Sequence, residues 1–218
     1  MSDVMTDIDF TVFVVDDDPA VLRGLARLLA AAGYRTRTFG SPDAFLSQHD
    51  AAEPGCAVLD VSMPDIDGLA LQRKLVEAGI ERPIIFVTGQ GDVPTSVRAM
   101  KAGAVDFLTK PVSAEALLEA VARARQIDAQ SRHSRDETAS IEALLARLTP
   151  REREVFTHVV AGRLNKQIAG DLGTVEKTIK VHRGRMMSKL GVRTVQDLVR
   201  LAERAGIRPQ ATSGRAAG

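Results

Sequence analysis

Acidic side chains and two complementary polar groups follow short apolar runs in the first half of the sequence. The run ending at Val15 leads into Asp16–Asp18, and later runs lead into Asp60, Thr88 and Lys110. Clustered carboxylates repel one another unless a divalent cation neutralises them, and hard oxygen ligands suit Mg²⁺. A carboxylate that stays partly free can attack phosphorus and form an aspartyl phosphate. The threonine hydroxyl and the lysine ammonium can then hold the phosphoryl oxygens, so these residue types predict phosphoryl-transfer chemistry.

Short strand-like runs alternate with helical segments in this half, and they must position the polar residues. The predicted strands are Thr11–Val15, Tyr34–Phe39, Cys56–Val61, Ile84–Thr88 and Val105–Thr109. This alternation predicts an α/β fold whose doubly wound parallel sheet is covered by helices on both faces. The carboxyl ends of parallel strands meet at the edge where such folds bind ligands. We therefore expect the polar residues to converge there. Unrelated solvated loop residues are the alternative, and four complementary strand ends argue against it.

Charge is distributed unevenly along the chain, although the net charge is only +1. Residues 1–127 carry 12 Lys and Arg against 18 Asp and Glu, while residues 128–218 carry 17 against 10. An acidic half joined to a basic half predicts two domains with different partners. The acidic half suits a cation, and the basic half suits phosphates.

The composition also bears on the location of the protein. The longest apolar candidate, residues 22–32, is interrupted by Arg23, Gly24 and Arg27, and the N-terminal residues are acidic where a secretory signal is basic. The single cysteine, Cys56, cannot form an internal disulfide. We therefore expect a cytoplasmic protein with no membrane partner. Because Cys56 lies in an apolar strand, we expect a buried and unreactive thiol.

The second half is helical in pattern and begins with a polar segment. Residues 126–140 have few apolar side chains, which predicts a linker that is helical for much of its length, with a flexible coil as the alternative. Thr149 opens a capping box, and Thr194 begins the last helix. Two further helices are predicted between these, with Asn165 as the N-cap of the first and Thr174 as the N-cap of the second.

The two helices after Asn165 have the lengths of a helix-turn-helix motif. The predicted scaffold helix covers residues 166–172, the turn residues 173–174, and the recognition helix residues 175–190. Ile179, Met186 and Leu190 mark a buried face of the recognition helix. The cations predicted on the opposite side, toward a DNA major groove, are Lys177, Lys180 and Arg183. A solvated basic surface helix is the alternative.

Four motifs in the first half occur together in order and spacing: VVDDDPAV, LDVSMPDIDG, FVTGQGD and DFLTKP. They resemble the receiver domain of two-component response regulators over roughly residues 10–125. The resemblance implies a flavodoxin-like sheet order of 2-1-3-4-5. It also implies that Asp60 is the phosphoacceptor, and that Asp16, Asp17, Asp60 and the backbone carbonyl of Ser62 hold Mg²⁺.

The same resemblance implies roles for residues around the acceptor. Thr88 and Lys110 would stabilise the phosphoryl group and act in the switch, and Phe107 would be the switch aromatic. The Lys110–Pro111 peptide bond is expected to be cis. Asp18 is expected to cap the helix that follows it rather than to bind metal.

A long segment of the second half, LTPREREVFTHVVAGRLNKQIAGDLGTVEKTIKVHRGRMMSKLGV, resembles the LuxR-type DNA-binding domain over roughly residues 145–207. By that resemblance Lys180 and Val181 face base edges. The residues matching the neighbourhood that grips phosphates or braces the helix are Lys166, Thr178, His182 and Arg185. Glu152 matches a structural ion pair. Gly184 departs from the family pattern, and glycine there costs the helix about 1 kcal/mol relative to alanine.

Both resemblances together imply a response regulator of the FixJ/NarL class. The expected domains are a receiver at residues 1–125, a helical linker at 126–144, a helix-turn-helix domain at 145–207 and a disordered tail at 208–218. The implied function is phosphorylation-dependent transcription regulation rather than enzyme catalysis. The implied partners are a sensor histidine kinase, promoter DNA, RNA polymerase and a second copy of the chain.

Two alternatives come from other functional classes. A phosphatase of the haloacid-dehalogenase type also forms an aspartyl phosphate, but it needs an Asp two residues after the nucleophile, where this chain has Ser62. A phosphorylation-independent DNA-binding protein with a vestigial receiver is the second alternative, and the intact set of acceptor residues argues against it.

Overall fold

The computed structural model describes residues 10–89 and 93–207. The predicted disordered tail at 208–218, the N-terminal residues 1–9 and the end of the FVTGQGD motif at residues 90–92 lie outside the described residues. The chain divides into two compact units, with the division between Arg132 and His133. Each unit is described separately below.

The first unit is built on a parallel sheet. Within the described residues its strands are β1 (Thr11–Val15), β2 (Arg35–Phe39), β3 (Gly55–Asp60), β4 (Ile84–Thr88) and β5 (Asp106–Thr109). They pair in the order β2-β1-β3-β4-β5, and every pairing is parallel. The predicted fold class and strand order are therefore confirmed, with strand bounds that differ by one residue from those predicted for β2, β3 and β5.

Helices lie between these strands and after the last one, and the first begins after Asp18 as predicted. They are α1 (Pro19–Ala31), α2 (Pro42–Gln48), α3 (Gly68–Glu77), α4 (Val93–Lys101) and α5 (Ala114–Ala146). The Asp18 carboxylate accepts a hydrogen bond of 2.7 Å from the Ala20 backbone N–H, so Asp18 caps α1 as predicted. Ser41 caps α2 in the same way, through the N–H of Ala44.

Successive residues along the strands supply two separate cores because strand side chains alternate between faces. One face carries Phe13 and Phe86, which pack with Phe45 of α2 and Leu71 of α3. The opposite face packs against α1 and α5. A fully buried side chain of this size contributes about 1.5–3 kcal/mol, so both layers hold the strand ends in place.

One long helix, α5, runs through the whole of the predicted linker at 126–144. Contacts between this helix and the rest of the first unit continue beyond residue 125. Asp128 is buried and pairs with Arg132 at 2.9 Å, and Arg132 donates to the carbonyl of Ala52 at 2.8 Å. Farther along, Ile141 and Leu145 belong to the core of the second unit. The domain boundaries at 125, 144 and 207 stay predictions.

The second unit is helical in its described residues. Its further helices are α6 (Pro150–Val160), α7 (Asn165–Asp171), α8 (Glu176–Leu190) and α9 (Val195–Arg204). The predicted capping boxes at Thr149 and Thr194 are both present. The core includes Val155, Ile168 and Met186, which come from three different helices.

Two of the predicted helix caps are wrong. Leu164, not Asn165, is the N-cap of α7, and its backbone N–H donates to the side chain of Gln167 at 2.9 Å. Val175, not Thr174, is the N-cap of α8. The N–H of Thr174 donates to the Ala169 carbonyl, because Thr174 still belongs to the turn that ends α7. In the described part of the chain, no helix is long and apolar enough to cross a bilayer.

Candidate functional site

Three carboxylates meet at the carboxyl edge of the sheet. Asp16 follows β1, Asp60 ends the adjacent β3, and Asp17 lies beside them. One oxygen atom from each of these residues lies within 4.8 Å of the others. Asp16 and Asp60 are 1% and 4% exposed, whereas Asp17 is exposed. The strand ends therefore converge as the sequence predicts.

Lys110 neutralises part of this acidic cluster. Its Nζ lies 2.7 Å from Asp16 Oδ2 and 3.0 Å from Asp60 Oδ1. The peptide bond between Lys110 and Pro111 is cis, as predicted. The lysine side chain is 24% exposed, so the ammonium reaches the buried carboxylates from the surface and bridges them.

Backbone groups orient the two buried carboxylates. Asp16 Oδ1 accepts from the Asp18 N–H at 2.9 Å, and Asp60 Oδ2 accepts from the Ser62 N–H at 3.0 Å. The loop after β3 is held close to the sheet by Gly68. A Cβ on this residue would lie 2.3 Å from the Asp60 carbonyl oxygen. The side-chain oxygens of Asp16 and Asp60 thus have defined positions before any ligand arrives.

The predicted switch residues lie on the neighbouring strands. Thr88 ends β4, next to β3, and is fully buried. Phe107 lies on β5 and is half-buried, with its ring centroid 6.3 Å from that of Phe86. In the sheet order, the strands of both residues, β4 and β5, follow β3, the strand that ends at Asp60. Their roles in a switch stay predictions.

Burial and hydrogen bonding shift the pKa values of Asp16 and Lys110 in opposite directions. Burial raises the pKa of Asp16, although the hydrogen bond from Lys110 acts to lower it. Burial alone would lower the pKa of Lys110, but the hydrogen bonds to Asp16 and Asp60 outweigh it and the pKa is raised. The ammonium therefore stays charged and faces more than one carboxylate.

The donor set fits a hard divalent cation. Asp16, Asp17 and Asp60 offer carboxylate oxygens only, and Mg²⁺ binds through one or more carboxylates together with water and phosphate oxygens. The exposure of Asp17 leaves one side of the cluster open to solvent. The backbone carbonyl of Ser62 as a further ligand stays a prediction.

The second unit presents a basic helix face. In α8, Ile179, Met186 and Leu190 are buried as predicted. The exposed residues include several of the predicted DNA contacts: Lys177, Lys180, Val181 and Arg185. In the preceding helix Lys166 is also exposed, while Thr178 and His182 are half-buried. An exposed valine beside lysines suits contact with a thymine methyl group and neighbouring bases.

Arg183 does not project with Lys180 and Lys177, and that prediction is corrected. It is half-buried, and its Nη1 donates to Asn165 Oδ1 at 3.0 Å, which links α8 to the start of α7. The reason is helical spacing: Arg183 lies four residues after the buried Ile179 and therefore borders the buried face. Its part in DNA contact stays a prediction.

Glu152 has the ion pair that the sequence resemblance implies, and the structure identifies its partner. The carboxylate is 3% exposed, lies 2.6 Å from Lys189 Nζ and accepts from the Thr149 N–H at 2.9 Å. The hydrogen bond from Lys189 holds the pKa of Glu152 below its usual value. This pair ties α6 to the end of α8.

One residue at the basic face has no role in the sequence predictions. Glu176 opens α8, and its Oε1 lies 3.7 Å from Lys180 Nζ. The signal that identifies it is simple, because a carboxylate four residues before a lysine lies next to it on a helix.

Known proteins match both units. The family model described as "Response regulator receiver domain" matches residues 12–122, and "Bacterial regulatory proteins, luxR family" matches residues 146–202. The chain is 44% identical over 200 residues to the Response regulator protein TmoT of Ectopseudomonas mendocina, covering 92% of this chain and 91% of that protein. It is 40% identical over 201 residues to the Transcriptional regulatory protein FixJ of Rhizobium meliloti, covering 92% and 98%. The solved structure of the response regulator StyR has a TM-score of 0.78 and 45% identity, covering 90% of this chain and 99% of that one.

Proposed function

The chain belongs to the two-component response regulators that join a receiver domain to a LuxR-type DNA-binding domain, and we propose that Asp60 is its phosphoacceptor. It is a transcription regulator, and we propose that it has no enzymatic turnover on other substrates. The observation that carries the assignment of Asp60 is its position. It is a buried carboxylate that shares Lys110 with Asp16 and lies within metal-binding distance of Asp17.

The proposed reaction is transfer of a phosphoryl group from a histidine of a sensor kinase. An Asp60 carboxylate oxygen attacks phosphorus, the bond from phosphorus to the histidine nitrogen breaks, and an acyl phosphate forms on Asp60. Mg²⁺, when bound by Asp16, Asp17 and Asp60, supplies positive charge for the phosphoryl oxygens. Lys110, which already contacts Asp60, would donate to the same oxygens, and Thr88, which ends the neighbouring strand β4, would bind them through its hydroxyl.

Replacing the acceptor tests this assignment directly. Asp60→Asn removes the nucleophile, so Mg²⁺-dependent labelling by acetyl phosphate is expected to fall to background. Asp65→Asn is the matched control, because Asp65 is an exposed carboxylate of the same loop in a left-handed backbone conformation that Asn tolerates. The measurement is intact mass of each variant. Undiminished phosphorylation of Asp60→Asn would overturn the assignment of Asp60.

The output side of the proposal is binding of promoter DNA by α8. The proposed contacts are Lys166, Lys177, Thr178, Lys180, Val181, Arg183 and Arg185, with Arg183 acting through its bond to Asn165. Lysines at an exposed helix face suit phosphates and guanine edges. RNA polymerase is the proposed partner downstream of the bound promoter.

Pairing of two chains is proposed as the step that phosphorylation controls. Exposed apolar side chains on α4 support a pairing surface in the first unit: Val93, Val97 and Met100 are 74%, 44% and 47% exposed. Apolar groups aligned on one face of a short helix favour contact with another surface.

Neither alternative function has support. The vestigial-receiver reading would not need Lys110 to hold the acidic cluster, yet this lysine contacts both buried carboxylates. The phosphatase reading lacks the second aspartate, because Ser62 occupies that position and contributes its backbone N–H to Asp60. The cytoplasmic location stays a prediction, based on the single cysteine Cys56, which is buried.

A further inference from the structure

The basic face of α8 carries one negative charge. Glu176 is the sole acidic residue in the helix sequence EKTIKVHRGRMMSKL, and it stands in the first turn. Its side chain is 48% exposed, and its Oε1 lies 3.7 Å from Nζ of Lys180, whose side chain is 67% exposed. It lines a cleft of about 500 Å³ together with Lys166 and Arg183. The Glu176 carboxylate therefore lies next to the basic side chains that are proposed to contact DNA.

A carboxylate in this place weakens binding to DNA of arbitrary sequence. DNA carries a dense array of phosphates. They repel a negative charge that lies within a Debye length, which is about 8 Å at physiological salt. Pressing Glu176 into a groove also removes it from water, which is costly unless a donor replaces the water. The side chains of Glu176 and Lys180 are both exposed, so the ion pair between them adds little stability to offset these costs.

The major groove offers a carboxylate few suitable partners. Cytosine presents the N4 amino group as a donor without an adjacent acceptor, and Glu and Asp accept hydrogen bonds from it. Lysine instead suits the O6 and N7 acceptors of guanine. Residues four apart on a helix lie slightly more than one turn apart, about 6 Å along the axis, which is between one and two base-pair steps of about 3.4 Å.

We propose that Glu176 is a specificity-determining residue, which selects a cytosine one or two base pairs from the guanine contacted by Lys180. In free protein the carboxylate and the ammonium are paired. On a matching sequence each finds its own base, and on other sequences the carboxylate stays without a donor next to phosphates. Glu176 thus lowers affinity for unmatched DNA more than for the matched site. This inference rests on the proposed role of α8 in DNA binding.

A role in helix stability alone would give a different pattern. A carboxylate in the first turn interacts favourably with the N-terminal end of the helix dipole. If that were its whole contribution, removal of its charge would lower the thermal stability of the second unit and leave the preferred bases unchanged. Base preference therefore separates the two roles.

The experiment is selection of DNA by the full-length protein and its Glu176→Gln variant. Short duplexes randomised through their centre are enriched by binding, and the recovered sequences are compared. The wild type is expected to enrich cytosine at one position near a guanine, with a preference of about tenfold or more. Glu176→Gln is expected to lose this preference or to shift it to adenine, which glutamine recognises. The variant should also bind an unselected duplex pool severalfold more tightly.

The matched control is Glu203→Gln on α9. It removes one exposed negative charge from the same unit, so it changes the general attraction to DNA without changing α8. Cytosine preference that is intact in Glu203→Gln and lost in Glu176→Gln supports the inference. Unchanged base preferences in Glu176→Gln, or equal effects of the two variants, overturn it.

A third arm separates this inference from the proposed function. Lys177→Ala and Lys180→Ala each remove one cation from the same face, and Lys180→Ala should also remove the guanine preference. If neither lysine variant weakens DNA binding, α8 is not the recognition helix, and the inference falls with that proposal. If both weaken it while Glu176→Gln keeps the cytosine preference, only the inference on Glu176 is overturned.

Discussion

Two buried carboxylates in this chain have lysine partners but opposite pKa shifts. Asp16 shares Lys110 with Asp60, and its burial raises its pKa despite that hydrogen bond. Glu152 has Lys189 together with the Thr149 N–H, and these hydrogen bonds lower its pKa. A buried carboxylate is stabilised as an ion only when enough donors reach it. Glu152 has the arrangement of a structural ion pair, whereas Asp16 belongs to a cluster that further positive charge would stabilise.

The ion pair of Glu152 predicts a pH-dependent contribution to stability. Because the hydrogen bond from Lys189 holds the folded pKa of Glu152 below its usual value of 4.5, the contribution is fully present above that pH and is lost as pH falls through the folded pKa. Glu152→Gln is expected to cost about 1.5–3 kcal/mol at pH 7, the range for hydrogen bonds to charged groups. Calorimetric unfolding at pH 7 and below pH 4 should show this difference shrinking in acid.

An exposed glutamate on the same helix provides the comparison for that experiment. Glu154 pairs with Arg151, and its side chain is 50% exposed. Glu154→Gln is expected to change stability by less than about 1 kcal/mol. A loss in Glu152→Gln that is no larger than in Glu154→Gln, or that persists undiminished in acid, would contradict the role given to the buried pair.

Among the elements, α8 has one glycine inside it and a second directly after its last residue, and the two have different roles. Gly184 lies inside the helix, and a Cβ added there would meet nothing within 4 Å. Gly191 ends the helix with a left-handed φ of 68°, which L side chains rarely adopt. The fold therefore requires glycine at the end of α8 but not at position 184, the position that departs from the family pattern.

Alanine substitution should affect these glycines in opposite directions. Gly184→Ala is expected to stabilise the second unit by about 1 kcal/mol, because glycine is that much less favourable than alanine in a helix interior. Gly191→Ala is expected to destabilise it by about 1 kcal/mol, because alanine would have to adopt a left-handed conformation. Urea unfolding followed by far-UV circular dichroism measures both. A lower midpoint for Gly184→Ala would show a structural need for this glycine that the packing does not reveal.

At the scale of the whole molecule, phosphorylation and DNA binding are expected to be coupled through pairing of chains. One DNA-binding unit has few cations for phosphate contact, so a single unit should bind DNA weakly. Two units bound to half-sites one helical turn apart, about 34–36 Å, gain affinity through effective concentration. Phosphorylation is therefore expected to shift the protein from monomer toward dimer and to tighten binding to a two-fold-related site.

Sedimentation with and without acetyl phosphate measures this shift, and Asp60→Asn provides the control that cannot respond. The wild type is expected to show a heavier species only after phosphorylation. A phosphorylated protein that stays monomeric alone and on DNA, while still binding its site tightly, would contradict pairing as the mechanism.

Features that depend on neighbours along the chain follow from the amino-acid sequence. The alternation of apolar runs and capped helices specified the parallel sheet, because strand and helix periods differ and each cap marks a boundary. Since parallel strands end at one edge of the sheet, the sequence alone predicts that Asp16, Asp60, Thr88 and Lys110 lie together. The missed caps at Asn165 and Thr174 show the limit of this reasoning, because the true N-caps, Leu164 and Val175, make no side-chain cap hydrogen bond and so carry no capping signal in the sequence.

Contacts between residues far apart in the sequence depend instead on the three-dimensional packing. Lys189 as the partner of Glu152 and Ala52 as the acceptor for Arg132 join residues far apart in sequence. Arg183 is turned toward Asn165 because α7 packs beside α8, and the sequence pattern of α8 alone does not contain that neighbour. Such contacts depend on how helices and loops pack in three dimensions, and local periodicity specifies only which face of an element is buried, not what lies against it.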